Sequence, residues 1–325
     1  MSSLLCYAGY GAGLVAAGYA ALIALSDSDT TTALSREQAS YYAERVVWIT
    51  GASAGIGLQL ATHIARLNQP GTRLVLTART RSKLEAAKAQ LEALGSNVRV
   101  GIVPCDVGQL DALPAAFAAA EQLFRRIDIL VNNAGLSQRG AALQTSFAVD
   151  EELVRVDLLS CMLLSKLVLP GMTARKFGHI VNVGSMAGQM GVVCRTAYCA
   201  AKWGLRGYSD ALRYEQLGTA SNVAVTLLSP AYVKTDISLN AHRGDGQKLA
   251  YTDKNIANGM SVERAAALMS RAITNRLPHS WIIGQALPKL AGYAVQYAPW
   301  LLEFLMKFMA AKLMKREVEE DKRAN

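Results

Sequence analysis

Between Arg45 and Gly284, short apolar, β-branched runs alternate with longer segments rich in alanine and leucine. The runs Val46–Thr50, Arg73–Thr77, Val98–Pro104, Ile127–Val131, His179–Val183, Ala224–Ser229 and Trp281–Ile283 predict strands. Helical segments lie between them, for example Leu58–Leu67 and Lys83–Leu94. Strands that are apolar on both faces and separated by helices belong in a parallel sheet covered on both sides. The pattern predicts an α/β fold with a single Rossmann-like, doubly wound parallel sheet of about seven strands over 45–285. No internal repeat or low-complexity linker interrupts it.

The two ends follow other patterns. Residues 1–26 carry no charged side chain, and Leu4 to Leu25 is apolar throughout. As a helix rising ~1.5 Å per residue, that stretch covers the ~30 Å core of a bilayer. It predicts an N-terminal transmembrane anchor. A cleaved signal peptide is the rival, disfavoured by the missing basic start and the long apolar run. Residues 27–44, rich in Ser, Thr and Asp, predict a short polar tether. At the other end, Leu290, Ala294, Tyr297, Leu301, Phe304, Leu305 and Phe308 recur at helical spacing. Lys289, Gln296 and Glu303 fall on the other side, and Trp300, Lys312, Lys315 and Arg316 accompany them. Residues 286–325 therefore form an amphipathic helical extension, interrupted near Pro299. Its apolar face meets either a membrane interface or the core or another subunit.

Composition narrows the classes of function. The chain has 325 residues, 51% hydrophobic and 18% charged, enough for one large buried core and too apolar for wholesale disorder. The formal charge of +9 is spread out and interleaved with acids, without the dense basic and aromatic run of a nucleic-acid surface. The cysteines Cys6, Cys105, Cys161, Cys194 and Cys199 form no Cys-x-x-Cys pair, and their odd number argues against a disulfide framework. A Cys194–Cys199 bridge stays open. His63, His179, His242 and His279 have no ligand spacing, so no metal site is expected.

The first strand runs into Thr50-Gly51-Ala52-Ser53-Ala54-Gly55-Ile56-Gly57 and then a helix. Glycines permit a tight turn and close approach to a pyrophosphate, which the helix N-terminus then binds. Asp106-Val107 follows the third strand, and Asn132-Asn133-Ala134-Gly135 the fourth. Ser185 ends the fifth, and Tyr198-Cys199-Ala200-Ala201-Lys202 comes thirteen residues later. In this order the motifs resemble the short-chain dehydrogenase/reductase family over about residues 45–285. Among its members the chain looks closest to membrane-anchored ones acting on steroids, retinoids or ketone-bearing lipids.

The resemblance implies a nicotinamide dinucleotide held by Gly51, Ser53, Gly55, Ile56, Gly57, Asp106, Val107, Asn133, Ala134 and Gly135, with Val233 and Thr235 at the carboxamide. Arg79 ends the second strand, where an acid would bind the ribose of NAD. Its guanidinium suits a 2′-phosphate, so NADP(H) is expected. Tyr198 and Lys202 also belong to the cofactor site by resemblance. On a helix these two residues face one way. A phenol of pKa ~10 becomes a usable acid or base beside an ammonium. Tyr198 would exchange a proton with the substrate oxygen and Ser185 would hydrogen-bond it.

Three positions depart from the family. Asp157 stands where relatives carry an Asn that holds a water next to the Lys. Ala231 replaces a Gly after Pro230, and Ala54 replaces a basic residue common in NADP users. Asp157 is included with the catalytic group. The polar stretch Asp236 to Gly259 is expected to cover the substrate as a mobile lid. The expected partner is a lipophilic carbonyl or alcohol, met at the endoplasmic reticulum or a related endomembrane. The family also implies a homo-oligomer, a dimer or tetramer. A non-catalytic nucleotide-binding or scaffold protein of the same fold is the alternative.

Overall fold

A computed structural model describes residues 28–323, with side chains as far as Lys315. The expected transmembrane anchor over 1–26 lies outside the described residues. Among the described residues no helix is long and apolar enough to cross a membrane.

Seven strands form the main sheet: β1 (Val46–Thr50), β2 (Thr72–Ala78), β3 (Val98–Pro104), β4 (Ile129–Asn132), β5 (Gly178–Val183), β6 (Val223–Pro230) and β7 (His279–Ile282). Their spatial order is β3-β2-β1-β4-β5-β6-β7, and every pair is parallel. In register, Val47 faces Leu74 on one side and Ile129 on the other. The order reverses between β1 and β4, which opens a crevice beyond the carboxyl ends of the strands.

Both faces are covered because successive side chains of a strand point to opposite sides. Val47 and Ile49 pack beneath α1 (Gly55–Arg66), α2 (Arg81–Glu92) and α6 (Val262–Thr274). Val46 and Trp48 pack on the opposite face with α3 (Leu113–Phe124), α4 and α5 (Thr196–Gly218). Helix α4 runs through Phe147–Val154, a π turn Arg155–Leu159 and Ser160–Ala174. Two further helices close the described chain, α7 (Ala286–Tyr297) and α8 (Pro299–Arg323). Pro299 marks the break between them and opens α8, where its fixed φ and missing N–H cost nothing.

The described part of the expected tether, residues 28–44, packs against the domain. Ser28 bridges to Ile282 on edge strand β7, and the Trp281 N–H donates to the Asp29 carboxylate at 2.6 Å. The hydroxyls of Thr32 and Ser280 lie 2.5 Å apart. Tyr42 is wholly buried, its hydroxyl 2.9 Å from that of Ser270. Polar side chains that looked solvated in the sequence are satisfied on the fold instead.

Tyr41 from this stretch completes a buried histidine network. Thr226 donates to the Leu277 carbonyl at 2.6 Å and so accepts from His179 Nε2–H at 2.8 Å. His179 Nδ1 then accepts from the Tyr41 hydroxyl at 3.0 Å. Burial, with Arg276 and Arg45 nearby, pushes the His179 pKa down to about 3. A depressed folded pKa gives stability that is whole above the unfolded value near 6.5 and lost as pH falls toward the folded one. Between pH 7 and 4.5 this group alone should remove roughly 2–3 kcal/mol. Urea titrations of His179→Gln, which cannot titrate, should show a flatter acid limb. A slope equal to that of the unaltered chain would reject the assignment.

Candidate active site

A cavity of about 1370 Å³ occupies the crevice at the carboxyl ends of the strands. It is lined by Gly51, Ser53, Gly55, Ile56, Arg79, Asp106, Val107, Asn133, Ala134, Gly135, Asp157, Ser185, Tyr198, Lys202, Val233 and Thr235. Gly57 stands behind this wall. These residues come from six strand ends and three helices, and the sheet topology is what brings them together.

The glycine loop is built from its neighbours. Thr50 Oγ1 accepts the N–H groups of Asn133 and Ala134, both at 3.0 Å. Asn133 Nδ2 donates to the carbonyls of Thr50 and Gly51 at 2.9 and 3.2 Å. Gly51 has φ +65°, and a Cβ there would lie 2.8 Å from Ala134 Cα. At Gly57 a Cβ would lie 2.4 Å from Asn133 Nδ2 and 2.5 Å from the Gly51 carbonyl oxygen. The turn is therefore closed to a side chain at Gly51 and Gly57. Helix α1 begins after Ala54 with no side-chain cap, so its first N–H groups remain available at the cavity wall. This cradle fits a dinucleotide pyrophosphate. Asp106 spends one oxygen on the Gly108 N–H at 3.0 Å and keeps the other edge toward the cavity. Arg79 is exposed at the far end, and Lys83 on α2 lines the same wall. Lys83 escaped the sequence reading because it lies inside a helix, past the strand end.

At the other end, Ser185 follows β5. Its Oγ accepts the Ala187 N–H at 3.1 Å, which leaves the hydroxyl proton to donate into the cavity. Tyr198 and Lys202 are one turn apart on α5, with Lys202 Nζ 5.8 Å from the centre of the Tyr198 ring. Lys202 Nζ donates to the Val183 carbonyl at 3.1 Å and meets Asp157 Oδ1 at 3.0 Å. Asp157 is wholly buried in the π turn of α4. Both of its oxygens lie 3.3 Å from the Leu136 N–H. A π turn re-aims one residue of a helix, and such turns recur at functional sites. The preceding residue, Gly135, leaves room for it, since a Cβ there would sit 2.5 Å from Asp157 Oδ1.

Burial pushes the Asp157 carboxyl above the usual range, against the pull of Lys202 and the Leu136 N–H. Burial also works against charge on Lys202, yet Asp157 and then Tyr198 outweigh it and hold the ammonium above its ordinary value. With a 3.0 Å contact, the Leu136 N–H shared by the two carboxylate oxygens and the Val183 carbonyl on the ammonium, the pair is ionic.

Sequence reasoning missed two parts of the wall. The first is a buried cluster in which Asp253 Oδ2 takes Arg139 Nη2 at 2.9 Å and Arg195 Nη2 at 3.0 Å. Despite burial, the two guanidinium groups hold the Asp253 carboxyl below the usual range. The cluster pins the segment expected as a mobile lid: Asp236 to Gly259 folds back, with Ser238, Ala241, Leu249 and Asp253 buried. A ribbon of Gln138–Arg139 against His242–Arg243 holds its middle. Lone charges beside Gly135 and Tyr198 were the available signal. The second part is the roof. Leu287, Leu290, Ala291 and Ala294 of α7 and Leu302, Met306 and Leu313 of α8 line the cavity. Helix α7 seats Gly292 where a Cβ would lie 2.8 Å from Met186 Cε. The far part of α8 touches the wall through Met314, 3.5 Å from Cys194 Sγ.

Residues 45–245 match the short chain dehydrogenase family, and the chain belongs to the short-chain dehydrogenases/reductases. It is an oxidoreductase of carbonyl and alcohol groups. Among proteins it resembles, a dehydrogenase/reductase SDR family protein 7-like of Drosophila melanogaster is 33% identical over 275 residues, 84% of this chain and 82% of that one. Human dehydrogenase/reductase SDR family member 7 is 37% identical over 258 residues, 79% and 75% of the two chains. A Sphingobium yanoikuyae short-chain dehydrogenase solved with NADPH has 29% identity and a TM-score of 0.64, covering 80% of this chain and 95% of that one. A metagenomic short-chain oxidoreductase solved with NADP has 28% identity and a TM-score of 0.60, covering 75% and 98%.

Proposed function

We propose that this protein interconverts a carbonyl and an alcohol on a lipophilic substrate with NADP(H) while held on a membrane. One observation carries the substrate class: the cavity that holds Ser185, Tyr198 and Lys202 is roofed by aliphatic side chains of α7 and α8. An apolar wall with a few polar groups at one end selects a largely hydrocarbon molecule bearing one polar function.

Held by the Gly51–Gly57 loop, Asn133, Ala134 and Gly135, NADP(H) would supply or accept the hydride. Tyr198 gives its hydroxyl proton to the substrate oxygen in reduction and takes it back in oxidation. Ser185 donates a hydrogen bond to the same oxygen and stabilises the charge that builds there. Lys202 fixes the field at Tyr198 and is itself positioned by Asp157 and the Val183 carbonyl. Relatives place a water beside this lysine, and here a carboxylate contacts it directly.

The cofactor preference rests on Arg79, with Lys83 on the same wall, and the two solved relatives were bound to NADP and NADPH. Uncharged residues 1–26 support the anchor, in an endoplasmic reticulum or related endomembrane setting. Self-association is proposed through α4 and α5, which leave Leu159, Trp203, Tyr214 and Leu217 exposed.

The test is a screen of NADPH and NADH oxidation with full-length protein in vesicles, against steroid, retinoid and long-chain ketones and short soluble ones. Turnover confined to the short ketones would reject the substrate class. Arg79→Ala should raise the KM for NADPH at least about tenfold, the scale of one charged phosphate contact, and leave NADH kinetics unchanged. Equal effects on both cofactors would reject Arg79 as the selector.

A further inference from the structure

Helix α8 is apolar on two sides at once. Its inner residues Leu302, Met306 and Leu313 line the catalytic cavity. On the outside, Trp300, Phe304 and Phe308 follow one another at four-residue spacing and are 70%, 54% and 71% exposed. None of these three touches the cavity. Phe304 and Phe308 stack edge to face with ring centres 5.2 Å apart, forming one continuous patch. Soluble surfaces seldom leave such a row uncovered, so something else covers it.

Charge and chain path select the occupant. Beside the aromatic row the helix carries Lys307, Lys312, Lys315 and Arg316 against Glu303, and the acids Glu317, Glu319, Glu320 and Asp321 come only in its last turns, beyond that row. Aromatic side chains flanked by lysines suit an interface where rings enter the acyl boundary and ammonium groups reach anionic headgroups. The chain path points the same way. Ser28, the first described residue, pairs with Ile282, and the neighbouring Trp281 ring lies tilted against Tyr293 of α7, centres 5.0 Å apart. The uncharged residues 1–26 thus precede a point at the foot of the α7–α8 pair.

We propose that α8 docks on an anionic lipid bilayer through Trp300, Phe304 and Phe308 while its other side walls the active site. A lipophilic substrate then passes from the lipid into the cavity alongside α8, between the exposed, cavity-lining Leu290 of α7 and Leu305 and Met309 of α8. The docking face stands without the carbonyl chemistry, whereas the entry route rests on it.

Full-length protein is reconstituted in vesicles of phosphatidylcholine and phosphatidylserine whose acyl chains carry bromine, and tryptophan fluorescence is recorded. In a Trp203→Phe background, which removes the other exposed indole, Trp300→Phe is expected to remove at least about half of the lipid-dependent quenching, since Trp48 is buried and Trp281 partly covered. Quenching equal to that of the unaltered chain overturns the proposal. Absent quenching, with a dimer that Phe304→Glu dissociates, also overturns it and assigns the patch to a second copy. Phe304→Glu combined with Phe308→Glu should raise the KM for a vesicle-borne ketone roughly tenfold or more, the scale of two exposed rings losing apolar contact. The KM for a short soluble ketone should stay the same. A parallel rise with both ketones overturns the route. Full Trp300 quenching without turnover of any ketone supports the docking face and overturns the carbonyl reading on which the route depends.

Discussion

Tyr198→Phe is expected to lower kcat about 10²–10⁴-fold, the usual worth of a positioned acid or base. NADPH binding, followed by fluorescence titration, should stay within about twofold, because a hydroxyl is removed and the ring that fills the wall is kept. Melting temperature should be unchanged for the same reason. Ser185 cannot substitute fully. Its oxygen already accepts the Ala187 N–H, and its proton serves to hold the substrate oxygen rather than to transfer. Lys202 cannot either, since Asp157 and the Val183 carbonyl take two of its three protons and it lies behind the ring. A variant retaining a tenth or more of the activity would place the proton donor elsewhere. An unaltered chain that binds NADPH and turns over no carbonyl would favour the nucleotide-binding scaffold instead.

The parts of this molecule that were legible in the sequence are those whose signals are local. A strand such as Val46–Thr50 shows its burial on both faces as an unbroken apolar run, and the structure matches it to the residue. The glycine loop is legible because its turn admits no side chain at Gly51 or Gly57. What was hidden depends on contacts between distant segments. Residues 28–44 read as solvated because a serine or threonine bonded to water and one bonded to Ser280 look alike in a sequence. Arg139 and Arg195 stood out only as lone charges near the motifs, and their meeting with Asp253, more than fifty positions away, was not legible. The helical period of 286–315 disclosed an apolar stripe and left open what it meets. The fold divides that stripe between cavity and exterior. The same is true of Asp157. Its departure from the family's asparagine was visible, but the π turn that carries it to Lys202 was not.

That turn makes the second large effect a matter of stability as well as rate. Lys202→Met should abolish turnover and destabilise the fold by about 3–5 kcal/mol, because it strands a wholly buried carboxylate. The lysine's folded pKa is raised, so the pair's stabilisation is whole below the unfolded value near pH 10 and fades only as pH rises through the folded one. The stranded Asp157, which burial pushes upward, relieves the penalty by taking up a proton as pH falls, so the loss measured by urea unfolding should be at least as large at pH 8.5 as at pH 6.5. Adding Asp157→Asn to Lys202→Met should restore most of the stability and none of the activity, since the stranded charge is gone and the ammonium is still missing. Asp157→Asn alone separates positioning from packing. An amide keeps a hydrogen bond to Lys202 and to the Leu136 N–H, so the fold should survive with a smaller loss. Without the carboxylate charge beside the ammonium, the alkaline limb of the pH–rate profile for alcohol oxidation should move to lower pH. A profile that does not move, with kcat and KM both unchanged, would make Asp157 a packing residue and leave Lys202 to act alone.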